Sequence, residues 1–267
     1  MDFLLVRRIQ MNKLFIVKNQ NQINILKKRG FTGFVYPLFS FCVGVEKEFK
    51  LSEITEDNAY IFVNRVLDSK SINDLKAILE NIPKNIKGII FEDVGVIELL
   101  KNYDIEKILY NTHFACNYES VNALLEYVDT IILPHDITET EIDEIIKHSI
   151  KKVSLNVFGL IPAMYSRRSL ITNYEKHFDI KVDRPFIIKN GDKSFILMEN
   201  DYGTYCYKLP YFNGLKLLSK DIKYALYFPI FLNDEELEKL LDGTIEKPFD
   251  DGFLSNKTIY KIKGGLK

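Results

Sequence analysis

The sequence lacks most of the features that would narrow its chemistry quickly. It has three cysteines, Cys42, Cys116 and Cys206, and no CxxC pair. A disulfide framework takes an even, closely spaced set, so a reducing, cytoplasmic setting is expected. Its four histidines never fall at HxH or HxxxH spacing, which leaves a metal site without its usual ligand pattern. No GxGxxG follows an apolar run, which argues against a dinucleotide-binding sheet, and no GxSxG elbow announces a serine nucleophile. Neither sign of charge dominates: 36 Lys and Arg face 37 Asp and Glu for a net −1. Total charge therefore demands neither nucleic acid nor an anionic membrane as a partner. No apolar run approaches a transmembrane length. The opening MDFLLVRRIQ holds only four consecutive apolar residues before two arginines, too few for the core of a signal peptide. Met11 is expected to be the working start, because the first strand pattern begins just after it.

What is present is a repeat. Apolar residues make up 46% of 267 positions, enough for a barrel-sized core. Short β-rich runs recur at 13–19, 33–38, 60–65, 88–93, 107–112, 130–135 and 153–159, and most are separated by amphipathic stretches. SINDLKAILENI (71–82) puts Ile72, Leu75, Ile78, Leu79 and Ile82 on one face. TETEIDEIIKHS (138–149) does so with Ile142, Ile145 and Ile146, and opens with Thr138 and Glu141 in capping-box spacing. The runs are continuously apolar, as expected of strands covered on both faces. This alternation predicts a parallel α/β fold, and its short, even spacing favours a TIM-like (β/α) barrel, which an incomplete or irregular closure would also satisfy, over an open sheet. After residue 178 the pattern alternates and carries Asn190–Gly191 and Asp201–Tyr202–Gly203, the turn signals of an antiparallel hairpin. One domain is expected over 1–267. Barrel units would fill 13–178, a hairpin or lid insertion 184–209, and barrel completion and a tail 210–267, with ALYFPIF (225–231) as the last barrel strand.

In such a barrel the site lies at the C-terminal ends of the strands. The residues closing the runs are Asn64 and Arg65, Glu92 and Asp93, Asn111, Thr112 and His113, His135 and Asp136, and Asn156. His113, His135, Glu92 and Asp136 are the candidate acid–base groups. Arg65, Asn111 and Asn156 are candidates to hold substrate. Asp93 and Asp136 also suit helix capping. His148 and His177 read as surface helix residues, and Cys116 as a small core residue rather than a thiolate.

Three stretches together resemble the collagenase-like peptidases of family U32. GIIFEDVGVIELL (88–100) is similar to that family's strand and following helix. NTHF (111–114) with ESVNALLEYVDTIILPHDITETEI (119–142) resembles its next strand end, helix and polar segment. FGLIPAMYSRR (158–168) resembles its signature loop, and DGFLSNKTIYKIKG (251–264) the end of family members. The likeness spans most of the chain and is closest to short members, which include paired accessory proteins of oxygen-independent ubiquinone hydroxylation. It implies a TIM-like barrel and, in several members, a [4Fe–4S] cluster with roles in hydroxylating quinones or RNA bases.

Tyr165, Ser166 and Arg168 match the signature and join the candidate substrate-binding set. Ser169 stands where cluster-binding members have Cys, Pro162 where many do, and the downstream cysteines are absent. His135 and Asp136 replace an Arg and a Glu of the family pattern. Cys42 falls where one branch places its first ligand, but one thiolate does not hold a cluster that needs about four. No cofactor and no metal ligand set are therefore expected. The implied roles are an accessory or substrate-binding subunit paired with a related cluster-bearing chain, a peptidase-type hydrolase, or a barrel for a small anionic or peptide ligand. Neither membrane nor nucleic acid is expected as partner. Locally, Gly159–Ile161 is expected to turn over the barrel mouth, with Tyr165 and Ser166 starting a short helix that aims Arg168 at the centre.

Overall fold

The computed structural model describes residues 13–256. The N-terminal run with its two candidate starts, and the C-terminal likeness beyond Asn256, lie outside the described residues. Eight parallel strands close into a barrel: β1 (Lys13–Ile16), β2 (Gly33–Pro37), β3 (Ala59–Val63), β4 (Ile86–Phe91), β5 (Glu106–Tyr110), β6 (Thr130–Leu133), the first half of β7 (Ser154–Ser166) and β11 (Ala225–Phe228). Closure is made by β11, which pairs with β1 on one side (Leu14↔Leu226) and β7 on the other (Leu226↔Asn156). The expected barrel is thus complete, and the 225–231 segment supplies its eighth strand.

The apolar runs explain the strands. β2, β3 and β6 are buried at every position, as required of strands lined by barrel core inside and helices outside. The helices follow the amphipathic stretches: α1 (Gln20–Lys28), α2 (Ser69–Leu79), α3 (Gly95–Leu99), α4 (Tyr118–Leu125), α5 (Glu139–His148), α6 (Leu170–Phe178) and α7 (Asp234–Asp242). Between β2 and β3 there is only a 3-10 turn at Leu51–Glu53, so the repeat is irregular there. The capping box is formed as expected. Thr138 Oγ1 accepts from the Glu141 amide at 3.3 Å, and Glu141 accepts from the Thr138 amide at 2.7 Å. Asp136 does not cap that helix, because Thr138 holds the position. Among the described residues no helix is long and apolar enough to cross a membrane.

The expectation that fails is the turn at Gly159. β7 instead runs unbroken for 13 residues. Its first half pairs with β11; from Phe158 onward it pairs antiparallel with β10 (Gly203–Asn213). Gly159 is the pivot, pairing with Phe228 on the barrel side and Phe212 on the hairpin side. Its φ is +144°, and a Cβ there would sit 2.5 Å from the Phe228 carbonyl oxygen, so no other residue passes this crossing unstrained. β9 (Lys193–Asn200) and β8 (Phe186–Asn190) continue the hairpin sheet, and β12 (Phe249–Asp250) joins β10. Tyr165 and Ser166 therefore lie on a strand, and the helix begins only at Leu170.

The hairpin sheet packs two ways. Ile171, Leu197 and Cys206 form a small core beneath α6. Tyr205 and Tyr207 join the main barrel core, where the Tyr207 hydroxyl donates to the Gly44 carbonyl at 2.7 Å and a Cβ on Gly44 (φ +77°) would sit 2.8 Å from that hydroxyl.

Candidate functional site

The ends of β4 to β7 bring a line of polar groups to the barrel mouth, roofed by hairpin tyrosines. Glu92 follows β4 and is half-buried. The Tyr205 hydroxyl donates to its Oε1 at 3.2 Å. Tyr110 closes β5, and its hydroxyl accepts from Asn156 Nδ2 at 3.4 Å. The same Nδ2 donates to His135 Nε2 at 2.8 Å. Asn156 is 4% exposed, and its Oδ1 is buried with no hydrogen-bond partner among the described residues. Such an orphaned acceptor is costly unless something occupies it.

The charges in this line are suppressed. Burial pushes the Glu92 carboxyl up to about 8, with the Tyr205 hydrogen bond pulling the other way and no cation offsetting it among the described residues. Glu92 is thus largely a neutral acid near pH 7. Burial lowers His135 to about 4, and the neighbouring charge of His113 adds to this. Tyr110 and Tyr205 are pushed up by burial and by the Glu92 charge. The mouth therefore offers an uncharged acid, an uncharged imidazole, an amide and phenols, with the ring of Phe212 edge-on to His135. Two titratable groups whose environments drive their pKa values apart form a potential acid–base pair.

Of the candidate residues, Glu92, His135 and Asn156 come together here. His113 and Asp136 are exposed on the loops that follow β5 and β6. Asn111 is consumed by its own loop: its Nδ2 donates to the Ala115 carbonyl at 3.0 Å, and its Oδ1 accepts from the Phe114 and Ala115 amides. It braces its own loop. Tyr165 stacks on Tyr205 at 5.8 Å and donates to the Tyr202 carbonyl at 3.0 Å. Ser166 Oγ accepts from the Arg168 amide. Arg168 is exposed, and no hydrogen bond or ion pair joins its guanidinium to the mouth among the described residues. It does not reach the centre because the expected helix start is a strand end. Asp93 braces loops, accepting from the Leu67 and Gly95 amides at 2.8 Å each. Arg65 is buried on the rim.

Tyr110, Tyr205 and Tyr207 escaped the sequence reading. The alternation in GTYCYKL puts Tyr205 and Tyr207 on one face of the hairpin, and that was the available signal.

The cysteines do not fit an iron–sulfur cluster. Cys42 Sγ donates to the Phe62 carbonyl inside the barrel core; Cys116 donates to the His113 carbonyl; Cys206 lies in the small core under α6. Among the described residues no three His, Cys, Asp or Glu side chains converge as a metal site.

A model of peptidase family U32 matches residues 44–182, just over half of the chain. That stretch contains Glu92, Tyr110, His135 and Asn156. Among solved structures the U32 peptidase Mk0906 is similar, at 11% identity and a TM-score of 0.49, over 82% of this chain and 92% of that one. No curated protein sequence matches.

Proposed function

The chain belongs to peptidase family U32, and on that footing we propose that it is a substrate-binding or accessory subunit acting beside a related, cluster-bearing chain in a hydroxylation or other modification system. The observation that carries this reading is the mouth itself, a converging set of neutral hydrogen-bonding groups with dispersed thiols. A site of this kind holds and orients a polar, uncharged group. Protonated Glu92 donates, the orphaned Asn156 Oδ1 accepts, and aromatic walls exclude water. It rejects a free carboxylate or phosphate, since nothing in the line carries positive charge near pH 7. The electron transfer that such a modification needs would come from the partner's cluster.

The test is co-expression with a related chain that retains the cysteines. A stable complex with iron only when both chains are present is expected. Stoichiometric iron in this chain alone, or failure to associate with any such relative, sinks the proposal.

One observation favours a peptidase-type hydrolase as the second reading: the separation of Glu92 (about 8) from His135 (about 4). Between those values the first is an acid and the second a free base, as general acid–base hydrolysis requires. Cleavage of gelatin with a bell-shaped pH profile, lost in Glu92→Gln and in His135→Ala, would establish it.

A further inference from the structure

Beside the mouth, a second opening lies between the loop after β2, the start of α2, and the turns at Arg167 and Asp201–Tyr202. It is a cleft of about 630 Å³. Arg65 forms part of its wall and is only 9% exposed. Its guanidinium carbon sits 3.6 Å from the Tyr202 ring centroid and 5.8 Å from that of Phe41. One terminal nitrogen donates to the Ser40 carbonyl and the other to Ser71 Oγ at 3.2 Å, while Nε is buried without a partner among the described residues. No carboxylate lies within ion-pair distance of Arg65 among the described residues. Asp68 and Glu48 feel its charge at longer range, but Asp68 is held by Arg167 at 3.2 Å and by the Ser71 amide at 2.8 Å, and Glu48 accepts from the Cys42 amide at 3.2 Å. A buried cation without a counter-charge is expensive, and proteins normally pair it. The ring stack and two hydrogen bonds also fix the guanidinium plane, which is the preorganisation that carboxylate recognition uses.

The remaining lining narrows the ligand. Lys70 and Arg167 add positive charge, while Asp74 and Asp201 stand in the same wall without ion pairs of their own among the described residues. A phosphate dianion would be repelled by those carboxylates. A molecule with one carboxylate and one ammonium complements both signs. Phe39 and Ile78 supply an apolar surface. We infer that this cleft binds a free α-amino acid with an apolar or aromatic side chain, its carboxylate on Arg65 and its ammonium toward Asp74 and Asp201. The inference does not depend on the accessory-subunit reading. It has a route to the mouth: the Tyr202 carbonyl accepts from Tyr165, Tyr165 stacks on Tyr205, and Tyr205 donates to Glu92. A ligand seated on the Arg65–Tyr202 stack therefore bears on the hairpin that roofs the mouth.

Titration calorimetry of the full chain tests this with four probes: L-phenylalanine, phenylalaninamide, N-acetylphenylalanine and inorganic phosphate. L-Phenylalanine is expected to bind saturably. The amide, lacking the carboxylate, should bind at least about tenfold more weakly, the loss of a charge-assisted pair. N-Acetylphenylalanine should bind more weakly than phenylalanine, and phosphate should not compete. Arg65→Lys should abolish binding while keeping the charge. Because Arg65 is buried, the exposed pair Lys70→Ala and Arg167→Ala serves as a second variant; it should weaken the acid several-fold and leave the amide unchanged. In Asp74→Asn with Asp201→Asn, the preference for the free amine over its acetyl derivative should vanish. The inference is overturned if phenylalanine shows no saturable binding up to about 10 mM, the weak limit of a specific small-ligand site. It is equally overturned if the amide binds as well as the acid, or if phosphate displaces phenylalanine.

Discussion

The two ends of the barrel carry the same chemical groups in opposite arrangements. At the base, Glu106 accepts from the Tyr224 hydroxyl at 2.8 Å and the Tyr60 hydroxyl at 3.1 Å, and pairs with Lys223 at 2.5 Å. At the mouth, Glu92 has, among the described residues, one tyrosine, Tyr205 at 3.2 Å, and no cation. The first carboxylate is saturated with donors and ties β5 to β3 and to the segment entering β11. The second is left short of donors and becomes a neutral acid. Burial alone does not decide what a barrel glutamate does; the number of donors and the presence of a cation do. This is the division expected between the two faces of a (β/α) barrel, with stability at the N-terminal ends and chemistry at the C-terminal ends.

The largest effect should come from breaking the base. Glu106→Ala strands two buried phenols and a half-buried ammonium, and should lower unfolding free energy by roughly 3 kcal/mol in urea titrations. A loss below that of an ordinary surface substitution would dissolve the contrast. Glu92→Gln should act in the opposite direction. A carboxyl raised from 4.5 to about 8 keeps its proton in the folded state while the unfolded chain releases it. Stability from this group is therefore full below pH 4.5 and falls as pH rises towards 8. Glutamine removes that fall, so the variant should be more stable than the parent at pH 8, by about 2 kcal/mol after allowance for solvent access. Equal or lower stability at pH 8 would show that Glu92 is charged and satisfied like its counterpart at the base.

The barrel was legible because each strand is an apolar run and the helices between them are amphipathic, with readable capping chemistry at Thr138. Glu92 and His135 were legible for the same reason, as polar residues ending apolar runs. Asn111 looked identical in sequence, but its amide is spent within four residues of itself, and no periodicity reveals that. The 159–168 segment misled because a glycine and a proline three residues apart read as a turn. Its real course depends on pairing with residues 203–213, a non-local partner that overrides local signals. The roof over the site was hidden with it.

The finest difference between the two ends lies in single hydroxyls. Tyr205→Phe removes the one hydrogen bond that reaches the Glu92 carboxyl among the described residues, the influence opposing its burial. The Glu92 carboxyl should then titrate above 8, visible as an alkaline displacement of its carboxyl signal in NMR or of any pH-dependent ligand binding. The stability cost should be about 1 kcal/mol, that of one hydrogen bond. Tyr60→Phe at the base removes one of three partners and leaves Tyr224 and Lys223 in place. Its cost should be no larger, because Glu106 keeps its cation and one hydroxyl. The pair of variants thus separates a carboxylate held by redundancy from one tuned by a single donor. If Tyr205→Phe leaves the titration of Glu92 where it was, the tuning comes from burial alone, and Tyr205 is only a lid over the acid.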